Sequence, residues 1–339
     1  MLTAAPCPAS LVDILKARDL IRAHIAVTPL RTYPALNKII GHGIEVWVKH
    51  ENHNVTNSFK ARNALAAVMA LDPQKRSRGL VAATKGNHGQ GVAWAGRLFE
   101  TPVTIFVPKN NNPDKNEAMK DFGARVIEVG KNYDQALEAA ENFSRRHNHR
   151  LIHAANDPAV VAGAATVALE ILEQNSDLEA IVLPVGGGSL AAGAILAARQ
   201  LNAPVKIYGV QAERAAAVQR SWLQGQAVFR PPSDTLADGL STANPYDLTF
   251  NVLREGLCGF VTVSEEEIAR AVGWFIAATH NLAEGAAAAG LAGLFSLRET
   301  LAGKKVAVVL SGSNISLENL KQALNQPPLA NPVLLKNCY

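Results

Sequence analysis

The alternation of short β-branched runs with longer Ala-rich amphipathic runs predicts an α/β chain with a mainly parallel sheet. Glycine and small polar clusters fall where strand runs hand over to helix runs, which is where ligand sites form in such sheets. The length of 339 residues suggests two domains, at about 150 residues each.

The strand runs are read at 44–50 (IEVWVKH), 79–84 (GLVAAT), 103–108 (VTIFVP), 124–130 (ARVIEVG), 150–156 (RLIHAAN), 180–185 (AIVLPV), 206–212 (KIYGVQA) and 304–311 (KKVAVVLS). Helical patterns between them include 59–71, 133–147, 160–174 and 190–201. Each is long enough for the crossover of a βαβ unit. Repeats, long linkers and low-complexity tracts are absent, so the two domains are expected to be interwoven.

Composition narrows the function classes. With 48% apolar and 18% charged residues the chain can build a packed core, which excludes a disordered protein. The net charge of +4 is spread along the chain without a basic block, so no dedicated nucleic-acid surface is expected. Cys7, Cys258 and Cys338 lie far apart, with no CxxC spacing. That indicates neither a disulfide framework nor a thiolate zinc site, and suits a reduced intracellular compartment. The N-terminal segment lacks a basic region followed by an apolar stretch, and no apolar run reaches the roughly 20 residues of a membrane span.

Four places carry chemistry. After the run AIVLPV come Gly186, Gly187, Gly188 and Ser189, directly followed by a helical pattern. Backbone amides converging there, at the positive end of a helix, would bind phosphate; the alternative is a tight strand–helix turn. The spacing is neither a P-loop nor GxGxxG. The segment Thr84-Lys85-Gly86-Asn87-His88 offers polar groups on a loop kept short by glycine, or else a solvated turn capped by Asn87. Ser311 to Asn314 close a third strand run. Lys60 stands at the start of a helix, against the macrodipole preference. Nearby positive potential and burial both depress an amine pKa, whereas a solvated Lys would be inert. A phosphate cup together with a reactive Lys suggests pyridoxal phosphate.

The segment NSFKARNALAA resembles the Ser-Phe-Lys-x-Arg segment of the fold type II (tryptophan synthase β-like) pyridoxal-phosphate enzymes, and within them the threonine/serine dehydratase and serine racemase branch. The likeness runs over roughly residues 10 to 325, with SFKAR, ATKGNHGQGVA, PVGGGSLAAG, SDTLADGLST, NLAEGAAAAG and VVLSGSN in family order. It implies two three-layer open parallel sheets with helices on both faces. It also implies a large cofactor domain of 1–72 plus 152–326, a small mobile domain of 73–151 and a tail of 327–339. Lys60 would carry the cofactor on its amine, with Phe59 packed beside it and Asn87 on the ring hydroxyl. Gly186, Gly187, Gly188 and Ser189 would bind the phosphate, and Ser311 would meet the ring nitrogen. Glu284 would lie near the cofactor, and the Thr84–His88 loop would receive the substrate carboxylate.

The implied reaction is loss of water and ammonia from a 3-hydroxy amino acid (L-threonine, L-serine or a phenylserine-like analogue) to give a 2-oxo acid. The alternatives are an amino-acid racemase, a β-replacement enzyme, or a non-catalytic binding module. A cytoplasmic homodimer without a C-terminal regulatory extension is expected.

Several residues depart from the family pattern. Lys85 stands where a second Ser is common, so it could act as an acid/base, pair with an acidic substrate group or the phosphate, or point to solvent. Ser189 replaces a fourth glycine, and Asn63 a third residue usually Gly. Gln211 and Ala217 occupy the positions of the two carboxylates of the serine racemase metal site, with Glu213 at the wrong spacing, so no metal is expected there. His147, His149 and His153 read as a surface helix end, and Asp238 as a cap outside the site. Specificity is expected to rest on the loops around Lys85, after Asp238 and at 110–118, and the small residues at 164, 165 and 285–288 suggest room for a bulky substrate.

Overall fold

A computed structural model describes residues 8–325, so Cys7, Cys338 and the tail 327–339 lie outside the described residues. The strands are β1 Leu30–Thr32, β2 Glu45–His50, β3 Leu80–Ala83, β4 Val103–Val107, β5 Arg125–Glu128, β6 Arg150–Leu151, β7 Ala180–Pro184, β8 Lys206–Ala212, β9 Gly259–Val263 and β10 Lys305–Leu310. They form a six-stranded sheet in the order β1-β2-β10-β7-β8-β9 and a four-stranded sheet in the order β5-β4-β3-β6. Every pairing is parallel except β1 with β2. The central strands β3, β4 and β7 are buried along their whole length. Continuous apolar runs such as AIVLP are what a sheet covered on both faces requires.

All eight sequence-read strands are present, with trimmed ends. The run at 150–156 shrinks to the two residues of β6, because His153 turns its ring back onto the amides of Ala155 and Asn156. Two edge strands, β1 and β9, carry too short a signal to be read in advance: LRT is only three residues long, and GFVTV is partly exposed.

The helices Lys60–Met69, Asn87–Leu98, Pro158–Gln174 and Ser189–Gln200 meet in one apolar cluster that also takes side chains from both sheets. Their backbones approach closely. A Cβ on Gly163 would lie 2.6 Å from the Arg62 carbonyl, and one on Gly193 would lie 2.6 Å from the Ala165 amide. Ala164 and Ala165 are thus small because a neighbouring helix lies against them, and they leave no room for a substrate. That reading of the sequence is corrected.

Two residues beyond Lys60, the same helix buries a balanced set of four charges. Arg62, Lys49 and Glu51 are 0% exposed and Glu170 is 2% exposed. Arg62 Nε donates to Glu51 (2.8 Å) and its Nη1 to Glu170 (2.7 Å). Lys49 Nζ donates to Glu170 (2.7 Å), the Thr28 carbonyl (2.8 Å) and Gln174 (2.8 Å), so all three ammonium protons have acceptors. Buried charges are tolerated only in such fully bonded sets. Replacing Arg62 with Leu is expected to lower stability by about 3–5 kcal/mol in urea titration, since it strands two buried carboxylates. Adding Glu51→Gln to that variant should recover part of the loss.

Candidate active site

Lys60 is placed by a stitch between two distant segments. Ser58 and Gly312 form an isolated antiparallel bridge, Phe59 N–H donates to the Ser311 carbonyl (3.0 Å) and Ser313 N–H donates to that of Asn57 (2.9 Å). The loop after β10 therefore lies against the start of helix Lys60–Met69. The Lys60 amine donates to Ser189 Oγ (3.3 Å) and the Ala154 carbonyl (3.4 Å), and stands 4.7 Å from the centre of the Phe59 ring. Burial pulls its pKa down from 10.5 to about 8, opposed by the Glu284 carboxylate.

Ser189 opens a helix at the end of the glycine turn. Gly188 has φ +89°, a conformation that disfavours any side chain. A Cβ on Gly186 would lie 2.7 Å from the Gly239 carbonyl, and one on Gly187 would lie 2.8 Å from Ala155 Cβ. The turn is thus clamped by its neighbours while its amides and the helix N-terminus remain available to an anion. Asn63 donates to Ser189 Oγ as well (3.2 Å). The donors at this end are amides and a hydroxyl, suited to a phosphate.

On the facing side, Thr84 Oγ1 accepts from the amides of Gly86 (2.9 Å) and Gly89 (3.3 Å), which shapes the loop before helix Asn87–Leu98. The first amides of that helix have no carbonyl within it to bond. His88 donates through Nε2 to the Ile152 carbonyl (2.8 Å). Burial, and then the Lys60 charge, lower its pKa to about 3, so it is a neutral anchor for the loop. Asn87 donates to Glu284 Oε1 (2.7 Å) and accepts from Asn314 (2.8 Å), which fixes its amide. Glu284 Oε2 is buried without a partner, and burial raises this carboxyl to about 7.

One cavity brings together Phe59, Lys60, Thr84, Lys85, Gly86, Asn87, His88, Gly186, Gly187, Gly188, Ser189, Glu284 and Ser311, which are all the site residues read from the sequence. A lysine, neutral phosphate donors and an unsatisfied buried carboxylate oxygen fit pyridoxal phosphate. A model of the family described as pyridoxal-phosphate dependent enzyme matches residues 21–312.

The chain belongs to the pyridoxal-phosphate dependent enzymes.

It is 37% identical to an L-threonine ammonia-lyase of Thermotoga maritima, over 94% of this chain and 78% of that one. It is 33% identical to an L-threo-3-hydroxyaspartate ammonia-lyase of Saccharomyces cerevisiae, over 90% and 93%. Among solved structures, serine racemase from Dictyostelium discoideum superposes with a TM-score of 0.85 at 31% identity, covering 91% of this chain and all of that one. The likeness places this member of the family in the threonine/serine dehydratase and serine racemase branch.

The enzyme's cavity has a second wall, which draws on the 110–118 segment and the stretch after Asp238 expected to set specificity. Lys115, Tyr133, Ser241, Thr242 and Tyr246 line it. So does Asp238, which is no turn cap: its carboxylate holds Lys115 Nζ at 2.5 Å. His153 is likewise no part of a surface helix end. It packs edge-on to Tyr246 at 4.7 Å, and burial with the Lys60 charge lowers it to about 4. Only His147 and His149 sit beside the end of helix Tyr133–His147. Of the small residues at 285–288, only Ala286 faces the cavity. Gln211 is buried, and its Oε1 accepts the Gln219 amide.

In the cofactor-free protein, labelling of Lys60 by an amine reagent should reach half-maximum near pH 8, about two units below an ordinary lysine. Peptide mass spectrometry across a pH series measures this. Glu284→Gln should move the midpoint down, because the carboxylate it removes holds the Lys60 pKa up.

Proposed function

We propose that the enzyme is a dehydratase (ammonia-lyase) that converts a 3-hydroxy amino acid to a 2-oxo acid and ammonia. The observation that carries this reading is the buried Lys60 amine, held on Ser189 at the mouth of the glycine turn and facing the Thr84–His88 loop across one cavity. Relatives that act as L-threonine and L-threo-3-hydroxyaspartate ammonia-lyases support it.

Gly186 to Ser189 would hold the phosphate, Asn87 the ring hydroxyl and Ser311 the ring nitrogen. Pyridoxal phosphate, when bound, supplies an electron sink for the pair left at the substrate Cα. The chain supplies the rest. The opening amides of helix Asn87–Leu98 receive the substrate carboxylate. Lys60, with its pKa near 8, is partly neutral at physiological pH and takes the Cα proton as general base. The β-hydroxyl leaves as water with the proton that Lys60 took from Cα, and hydrolysis of the released enamine in its imine form gives the 2-oxo acid and ammonia. A hydroxyl at position 311, in place of a carboxylate, leaves the ring nitrogen unprotonated, which favours elimination over transamination.

The sheet formed by β3–β6 is read as the core of a mobile domain of 73–151, set between 1–72 and 152–326. The enzyme is read as a cytoplasmic homodimer.

Keto-acid release tests the activity with threonine, serine, 3-hydroxyaspartate and phenylserine. At least one should turn over, and Lys60→Ala should lower kcat at least about 1,000-fold with its circular dichroism unchanged. Conversion of L-serine to D-serine without keto acid would establish a racemase instead.

A further inference from the structure

We propose that Lys85 selects substrates with a second carboxylate beyond the β-carbon, which makes the preferred substrate a 3-hydroxy dicarboxylic amino acid; this rests on the dehydratase reading and narrows it. Lys85 lies half-buried in the cavity wall, and its amine donates to the neutral Ser241 hydroxyl at 3.3 Å. Among the described residues it makes no ion pair. The neighbouring acids are engaged elsewhere: Asp238 holds Lys115 at 2.5 Å, and Glu284 accepts from Asn87 and acts on Lys60. Among the residues lining this wall, Lys85, Lys115 and Asp238 sum to one positive charge, with Asp234 and Asp134 attracting Lys85 from outside the lining.

Burying a cation without an anion costs free energy that an incoming carboxylate would recover. Burial does lower the Lys85 pKa, against the attraction of Asp238 and with the repulsion of Lys115. The anion that Lys85 awaits is not the α-carboxylate, because the loop amides beside Lys85 serve that group. Nor does the phosphate need it, since the glycine turn, Ser189 and a helix N-terminus receive the phosphate on the other side. The hydrogen bond to Ser241 holds the amine on the outer wall of the cavity, within the space open to a substrate side chain. A bulky aromatic substituent fits less well, as the small residues at 164 and 165 are sealed between helices.

The isosteres L-aspartate and L-asparagine test the proposal as equilibrium ligands of the holoenzyme, followed by the cofactor's absorbance. Wild type should prefer aspartate. Lys85→Met should shrink that preference by about 30-fold, as expected for a charge-assisted contact, and Lys85→Arg should keep most of it. The ratio of kcat/KM for L-threo-3-hydroxyaspartate over L-threonine should fall in parallel. Equal binding of the two ligands by wild type would overturn the proposal. So would equal weakening of both in Lys85→Met, which puts the lysine on the α-carboxylate, or weaker cofactor binding in that variant, which puts it on the phosphate. The binding ratio needs no turnover: absence of keto acid from every substrate would defeat the dehydratase reading while the ratio still judges Lys85.

Discussion

The position of the reactive amine depends on a set of charges that never touches a ligand. Arg62, Glu51, Glu170 and Lys49 join helix Lys60–Met69 to β2, to the turn after it and to helix Pro158–Gln174. Each guanidinium and carboxylate contact is directional, so the four groups fix the helix in rotation as well as in place. Apolar packing alone would not. The helix is rich in alanine, and alanine faces slide past one another with little change in buried area. With Arg62 locked, Lys60 two residues earlier has one direction available, toward Ser189 and the cavity.

Burial acts on neighbouring residues of one helix with opposite results. Arg62 keeps its charge because two carboxylates surround it. Lys60 lies at the cavity with Glu284 as its electrostatic counterweight, and its pKa falls to about 8. At Arg62 the two carboxylates outweigh burial, whereas burial prevails at Lys60 and, despite its bond to Glu170, at Lys49. The helix N-terminus adds to the effect at Lys60 by favouring anions there. The sequence SFKAR thus encodes a fixed cation and a titratable amine two positions apart.

Much of this was legible in the chain. Apolar runs such as AIVLP and VTIFV announced the central strands because both of their faces are covered, and the three consecutive glycines before Ser189 announced the tight turn that opens a helix at the cavity. The inner wall followed from local motifs, each lying at the end of one strand. The outer wall was legible only as segments, 110–118 and the stretch after Asp238. Lys115, Tyr133 and Asp238 become one surface only through tertiary packing, so no local spacing picks out those residues. Asp238 was misread for that reason: its partner lies 123 positions away. His153 was misread because charged neighbours in sequence suggested a surface that its contact with Tyr246 removes.

The outer wall also differs from the inner one in what holds it. Helix Lys60–Met69 and helix Asn87–Leu98 share a continuous apolar cluster across the two sheets. Across the cavity mouth the same sheets are joined by isolated polar contacts: Lys85 to Ser241, Lys115 to Asp238, and the hydroxyls of Tyr133 and Tyr246. The inner wall is thus shaped by apolar packing, and the outer wall by a few directional hydrogen bonds and one largely buried ion pair.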